Sequence, residues 1–334
     1  KKELFMTSIM KHMKKIFFCG TLLISTLGLS GCVNKKEDGS KLNIGYFNNI
    51  THAQALLMKS EGSLEKSLGE DIQVNWTAFN AGPAEIQALF AESIDIGYIG
   101  PVPAVNANTK SDGDVQILTG ATKGGAVMVT HPDSGISSVY DLSGKTVSIP
   151  QLGNTQHLSL LHLLDEYDLE PVSDGGDVNV TAVANADVNN MLERGDIDAA
   201  LVPEPWGVTL QEQGAELLLD YDKIYMQGQY DVALVVVRKE YMEAYPEIVN
   251  AFLEAHEAAT MKFAQDEDAC LKIINEELLQ STGKALNENI LKQAFERILV
   301  NTALNKESIM GFAEISEDED FISDEPEASV LYAQ

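Results

Sequence analysis

Positive charge is what this 334-residue chain has least of. It holds three arginines, Arg194, Arg238 and Arg297, and 23 Lys plus Arg against 51 Asp plus Glu, for a net charge of −28. A field of that sign repels phosphate backbones and excludes a nucleic-acid partner. Three scattered arginines are too few for a multi-arginine clamp on a ligand. Cysteine is equally scarce, with only Cys19, Cys32 and Cys270, so the fold does not rest on disulfides. The apolar run from Ile16 to Leu29 has fourteen residues, too short to span a bilayer. No Gly-x-Ser-x-Gly elbow occurs, which leaves hydrolase chemistry without its usual nucleophile motif. His157 and His162 lie five apart, about 140° around a helix, and cannot form the i, i+4 pair of a zinc protease. What is present is apolar material, 45% of residues against 22% charged, enough for a buried core in one large domain or two of about 150 residues.

The amino end reads as an address. Lys14 and Lys15 precede the apolar run, which closes on Leu29-Ser30-Gly31-Cys32, a pattern resembling the bacterial lipobox. Cys32 is the expected lipid attachment site and Met13 the natural start, with residues 1–31 the upstream residues and signal peptide. Their removal leaves 18 basic and 50 acidic residues, a net charge of −32. Residues 32–41 are polar, contain Gly39 and Ser40, and suit a flexible tether between lipid and domain. The expected location is the extracytoplasmic face of the cell membrane.

Beyond residue 41, short Val- and Ile-rich runs alternate with helical patterns, among them Ala53 to Leu68 and Leu286 to Leu299, the signature of an α/β fold with largely parallel sheets. The polar stretch Pro132 to Ser138 and the turn Ser143-Gly144-Lys145 mark a change of lobe, and Tyr221 to Tyr230 the return. Residues 42–131 with 232–334 are therefore expected in one lobe and 140–225 in the other, with a ligand cleft between them.

Ligands in open α/β sheets sit beyond the carboxyl ends of the strands. Six such points carry turn and capping residues: Phe47 to His52, Asn80-Ala81-Gly82-Pro83, Gly100-Pro101-Val102-Pro103, Gln151 to His157, Asn185-Ala186-Asp187 and Glu204-Pro205-Trp206. Their convergence would aim unpaired N–H groups and positive dipole ends at one compact anion. Any one of them is equally what every α/β protein places at a helix start.

In combination these segments resemble a known family. Gly82 to Leu89, Ile94 to Ala104, Pro150 to Gln156 and Asp198 to Gly207 are similar to stretches of substrate-binding lipoproteins of ABC importers, nearest the group handling aliphatic sulfonates, taurine and nitrate. The resemblance runs from about Leu42 to about His256. It implies a two-lobed periplasmic-binding-protein-like (type II) receptor, non-catalytic, monomeric and without cofactor or metal, that closes on a small anionic or zwitterionic solute, expected to be an aliphatic sulfonate such as taurine, and passes it to permease and ATPase subunits. The resemblance implies ligand contacts at Asn49, Thr51, His52, Gly82, Pro83, Gly100, Pro101, Asn154, Thr155 and Gln156 and near Glu204 and Trp206, and the strand-end turns add Phe47 and Asp187 as expected contacts. The helix start Asn154-Thr155-Gln156-His157 departs from the Ser/Thr runs of sulfonate and taurine binders.

Several readings stay open. Glu204 is either an acceptor for a cation on the ligand, as in taurine, or a cap on the helix it opens. Trp206 either covers the ligand or packs in the core. Nitrate, or a thiamine-precursor pyrimidine stacked on Phe47, Tyr98 and Trp206, would fit the same cleft, and a surface lipoprotein hydrolase is the rival from another class. A metal held by His52, His157 and Glu204 is not demanded by any local motif. Cys270 reads as a small buried hydrophobe.

Overall fold

The computed structural model describes residues 39–333. The lipobox with Cys32, the signal segment and most of the tether lie outside the described residues.

The chain opens with β1 (Lys41–Phe47), a short 3-10 turn at Ile50–His52, and the helices α1 (Ala53–Glu61) and α2 (Ser63–Leu68). There follow β2 (Gln73–Phe79), α3 (Gly82–Phe90), β3 (Ile96–Ile99), α4 (Pro101–Lys110), β4 (Val115–Gly124) and β5 (Ala126–Thr130). Next come β6 (Thr146–Ile149), α5 (Thr155–Glu166), β7 (Asn179–Ala182), α6 (Val188–Arg194), β8 (Ala199–Pro203), α7 (Trp206–Glu212) and β9 (Glu216–Leu219). The last segment holds β10 (Asp231–Arg238), α8 (Lys239–Ala244), α9 (Pro246–Gln265), α10 (Glu267–Thr282), α11 (Glu288–Phe295), β11 (Ile298–Val300), α12 (Lys306–Asp318) and α13 (Ala328–Leu331).

Two sheets organise these elements, one ordered β11-β4-β10-β3-β1-β2 and the other β7-β6-β8-β5-β9. Both are mixed rather than largely parallel. β10 runs antiparallel to β3 and β4, and β5 antiparallel to β8 and β9. Strand patterns explain the layering. Along β10, Ala233, Val235 and Val237 join one core cluster while Leu234 and Val236 join another, so both faces of the first sheet are covered. In β5, Ala126 and Met128 face one cluster and Val127 and Val129 the opposite one. A strand buried on both sides reads as a continuous apolar run, which is why Asp231–Arg238 carries Val-Ala-Leu-Val-Val-Val at its centre.

Three sequence expectations change here. The run Ala53–Leu68, read as one helix, is broken at Gly62, whose left-handed φ of 58° ends α1. The segment from Leu286 to Leu299, read as a helix, is α11 followed by the edge strand β11. Most consequential, β5 pairs in the second sheet rather than the first. The first crossing therefore lies at Gly124-Gly125, not in the polar stretch after His131. Both glycines hold positive φ, 71° and 77°, and a Cβ on Gly124 would come within 2.8 Å of the Arg297 carbonyl oxygen. Conformation and crowding both require glycine there. The chain returns between β9 and β10, through residues 220–230.

Candidate functional site

Strand ends of both sheets converge on one cavity, lined by sixteen residues. From the first sheet's side come Phe47, Asn49, Thr51, His52, Asn80, Ala81, Gly82, Gly100, Pro103 and Val232. From the other come Pro150, Asn154, Thr155, Gln156, Asn185 and Pro203. The space is tight: the centre of a water-sized sphere has about 40 Å³ to move in, room for roughly three waters.

Each wall is built by local capping. Asn49 caps the 3-10 turn by accepting the Thr51 N–H at 3.2 Å through its side-chain oxygen. His52 Nδ1 accepts the Phe47 N–H at 3.1 Å, and the two rings stack 4.4 Å apart. Because Nδ1 is an acceptor, Nε2 carries the ring proton. Burial holds this imidazole neutral, its pKa lowered to about 3. On the opposite wall the same device recurs. Asn154 caps α5 by accepting the His157 N–H at 2.9 Å, and His157 Nδ1 accepts the Gly153 N–H at 3.1 Å. Burial lowers the His157 pKa to about 4. Asn154 Nδ2 donates to Gln156 Oε1 at 3.0 Å. The first N–H groups of α5 have no intrahelical acceptor, and Thr155 and Gln156 stand at the cavity wall. Thr155 Oγ1 is buried there with no hydrogen-bond partner. Ala81 and Gly82 bring the first turn of α3 to the same space.

Nine of the fourteen expected contacts thus meet in the cavity: Phe47, Asn49, Thr51, His52, Gly82, Gly100, Asn154, Thr155 and Gln156. Five do not line it. Pro83 and Pro101 occupy the first turns of α3 and α4, where they shape the walls from behind. Asp187 is exposed, and Asn185, two residues earlier, lines the cavity instead. Trp206 is partly buried, packs against the cluster that contains Val127, Val129 and Val202, and does not line the cavity. Glu204 is fully buried. Its Oε2 accepts the Val208 N–H at 3.0 Å, and its Oε1 accepts from Arg297 Nη1 at 2.6 Å. Arg297 Nε also donates to Asp220 Oδ1 at 2.7 Å. Burial pushes the Glu204 carboxyl up, against the pull of the Val208 N–H and the guanidinium. The carboxylate caps α7 and pairs Arg297, so it is spent before any ligand arrives.

Tyr98, proposed as a stacking ring, is also buried away from the cavity. Its hydroxyl bonds His256 Nδ1 at 2.7 Å, while His256 Nε2 donates to the Gly120 carbonyl at 2.9 Å. Among the described residues no group of three His, Cys, Asp or Glu is placed to hold a metal, so His52, His157 and Glu204 form no such site. Asn80, Ala81, Pro103 and Asn185 belong to strand-end segments expected to face the cleft but were not singled out as contacts, and Pro150, Pro203 and Val232 lie outside those six segments. All but Val232 lie at strand ends or first helical turns, where the topological rule points. Val232 lies on β10, which enters from the opposite direction.

Comparison with known proteins follows the same lines. Residues 35–274 match the profile described as the NMT1-like family. The chain is similar to the taurine-binding periplasmic protein of Escherichia coli (strain K12), 30% identical over 200 residues, 60% of either chain. That match thus spans about three-fifths of the relative's length. A putative aliphatic sulfonates-binding protein of Bacillus subtilis (strain 168) is 23% identical over 274 residues, 81% of this chain and 79% of its own. Among solved structures, the alkanesulfonate-binding protein of Xanthomonas axonopodis pv. citri bound to MOPS superposes with a TM-score of 0.73 at 20% identity, covering 89% of this chain and 99% of that one. A Candida albicans protein with the generic periplasmic binding protein fold gives 0.66 at 12% identity, over 87% and 92%. These structures share the two-lobed fold.

Proposed function

Because the chain belongs to the NMT1-like family, we propose that it is the extracytoplasmic solute-binding component of an ABC importer, which closes on a small organic anion of the aliphatic sulfonate class. The bound solute passes to permease and ATPase subunits, and the protein works as a monomer tethered through a lipid on Cys32. One observation carries the reading: Thr155 Oγ1 sits buried and unpartnered at the wall of a small cavity, in the first turn of α5, where N–H groups have no intrahelical acceptor. A buried polar atom left unmade is costly, and a tetrahedral oxyanion supplies the missing partner together with a charge that suits the helix terminus.

The same lining supports binding without turnover. Thr155 has no base within hydrogen-bond reach, and His52 Nδ1 is occupied by a backbone N–H, so the nucleophile-and-base pair of a hydrolase has no counterpart in the cavity. Stacking of a pyrimidine is not supported either, since Phe47 is the one aromatic among Phe47, Tyr98 and Trp206 that lines the space. Among the described residues no helix is long and apolar enough to cross a membrane.

A thermal-shift screen against C1 to C4 alkanesulfonates, taurine, nitrate and hydroxymethyl pyrimidines tests the function. A sulfonate at 100 times its dissociation constant stabilises by about 2.7 kcal/mol. No shift with any sulfonate, or release of product from esters or peptides, contradicts the proposal. Replacing Cys32 by Ser is expected to release the protein from membranes or leave an uncut precursor, and unchanged retention would show the lipobox to be accidental.

A further inference from the structure

We propose, resting on the sulfonate function above, that this cavity selects alkanesulfonates with an uncharged tail and discriminates against their ammonium-bearing counterparts such as taurine. None of the sixteen lining residues is Lys, Arg, Asp or Glu. The site therefore offers an anion only dipoles: first-turn N–H groups, the Thr155 hydroxyl, side-chain amides and the neutral His52 imidazole. That suffices for a sulfonate, whose single charge is spread over three oxygens and suits a helix N-terminus. It does not suffice for an ammonium, which on closure loses its water and needs a carboxylate to replace it.

Two carboxylates adjoin lining residues in sequence, and neither lines the cavity. Glu204 follows Pro203 and has both oxygens engaged, one by the Val208 N–H and one by Arg297, while Asp231 precedes Val232 and accepts the Asn305 N–H at 2.8 Å through Oδ2. Beside the amides of Asn80 and Asn185, the rest of the cavity is walled by Phe47, Ala81, Pro103, Pro150, Pro203 and Val232. Such walls accept methyl and methylene groups and give a charged amine nothing. Asn185 also stands at the wall, with its side-chain Oδ1 buried and unpartnered. A neutral amide orients a donor but supplies no counter-charge.

The test compares 1-propanesulfonate with taurine, which match in heavy-atom number and differ by a methyl in place of the ammonium. Calorimetric titration of the purified protein at pH 7 is expected to show 1-propanesulfonate binding at least tenfold tighter. The gap should narrow above the pH at which taurine's amine loses its proton, while the alkanesulfonate affinity measured at the same pH serves as control. Asn185→Asp places a carboxylate in the cavity with almost no change of shape. It should shift the affinity ratio at least tenfold toward taurine, and an unchanged ratio in folded variant would count against the proposal. Taurine binding as tightly as 1-propanesulfonate in the wild type overturns the inference while leaving the sulfonate function standing. Binding of neither overturns the function and the inference together.

Discussion

Gly100 and Thr155 meet across the cleft, and adding one methyl group at that contact separates ligand closure from folding. Gly100 follows β3 of the first sheet and caps α4, whereas Thr155 opens α5 of the other lobe. The backbone at Gly100 has φ −73° and ψ 159°, a conformation any residue adopts, so Gly100→Ala strains nothing locally. The obstacle is space. An added Cβ would stand 2.3 Å from Thr155 Oγ1, where real Cβ contacts stay above 3.0 Å, so the two walls must part by about 0.7 Å or the hydroxyl must turn away. Threonine is stiff at χ1, and either response removes Oγ1 from a bound oxyanion. Loss of one charge-assisted hydrogen bond costs about 1.5 to 3 kcal/mol, a weakening of roughly ten- to a hundredfold. The ligand-free melting temperature should hardly change, because neither sheet is touched. Calorimetry on a double-mutant cycle isolates the cause: in a Thr155→Ala background the clash is gone, so Gly100→Ala should add little further loss. Full additivity of the two losses, or an unchanged affinity in the single variant, would refute the reasoning.

Thr155→Ala alone is expected to weaken sulfonate binding by about 1.5 to 3 kcal/mol with a smaller effect on stability, checked by calorimetry and thermal melting. Arg297→Met leaves the buried Glu204 carboxylate without its ion-pair partner and should cost about 3 to 5 kcal/mol in denaturant unfolding; a loss under 1 kcal/mol would show the pair to be idle. His52, His157 and His256, with pKa values lowered to about 3, 4 and 4 by burial, should stay neutral to pH 5, seen as flat imidazole shifts in an NMR titration. The sign for stability follows: below pH 6.5 the unfolded chain takes up protons that the folded one refuses, so these groups lower stability as pH falls from 6.5 toward 4, by about 1.4 kcal/mol per pH unit for each. Midpoints near 6.5 would contradict the burial argument.

Much of this site was legible from chain order alone, because capping residues at strand ends announce which loops share a cleft. Asn49, Gly82, Gly100 and Asn154 through Gln156 all follow strands, and all line the cavity. What stayed hidden depended on partners distant in sequence. Glu204 has the look of a cleft residue until Arg297, 93 positions later, claims its oxygen. Trp206 follows the same strand end, yet it packs against the core cluster of Val127, Val129 and Val202 rather than lining the cavity. The membership of β5 was hidden for a different reason. β4 and β5 form one nearly continuous run of strand residues, and nothing local says that the Gly124-Gly125 bend carries the second half into another sheet. Twin glycines in mid-strand were the available signal.

The most direct test of the central claim is the position of a sulfonate's sulfur. In crystals grown with ethanesulfonate, measured at a wavelength that reveals sulfur by anomalous scattering, the account predicts a peak inside the cavity with a sulfonate oxygen hydrogen-bonded to Thr155 Oγ1 and to an N–H at the start of α5. A cavity without that peak, or a sulfonate bound elsewhere on the molecule, would contradict it.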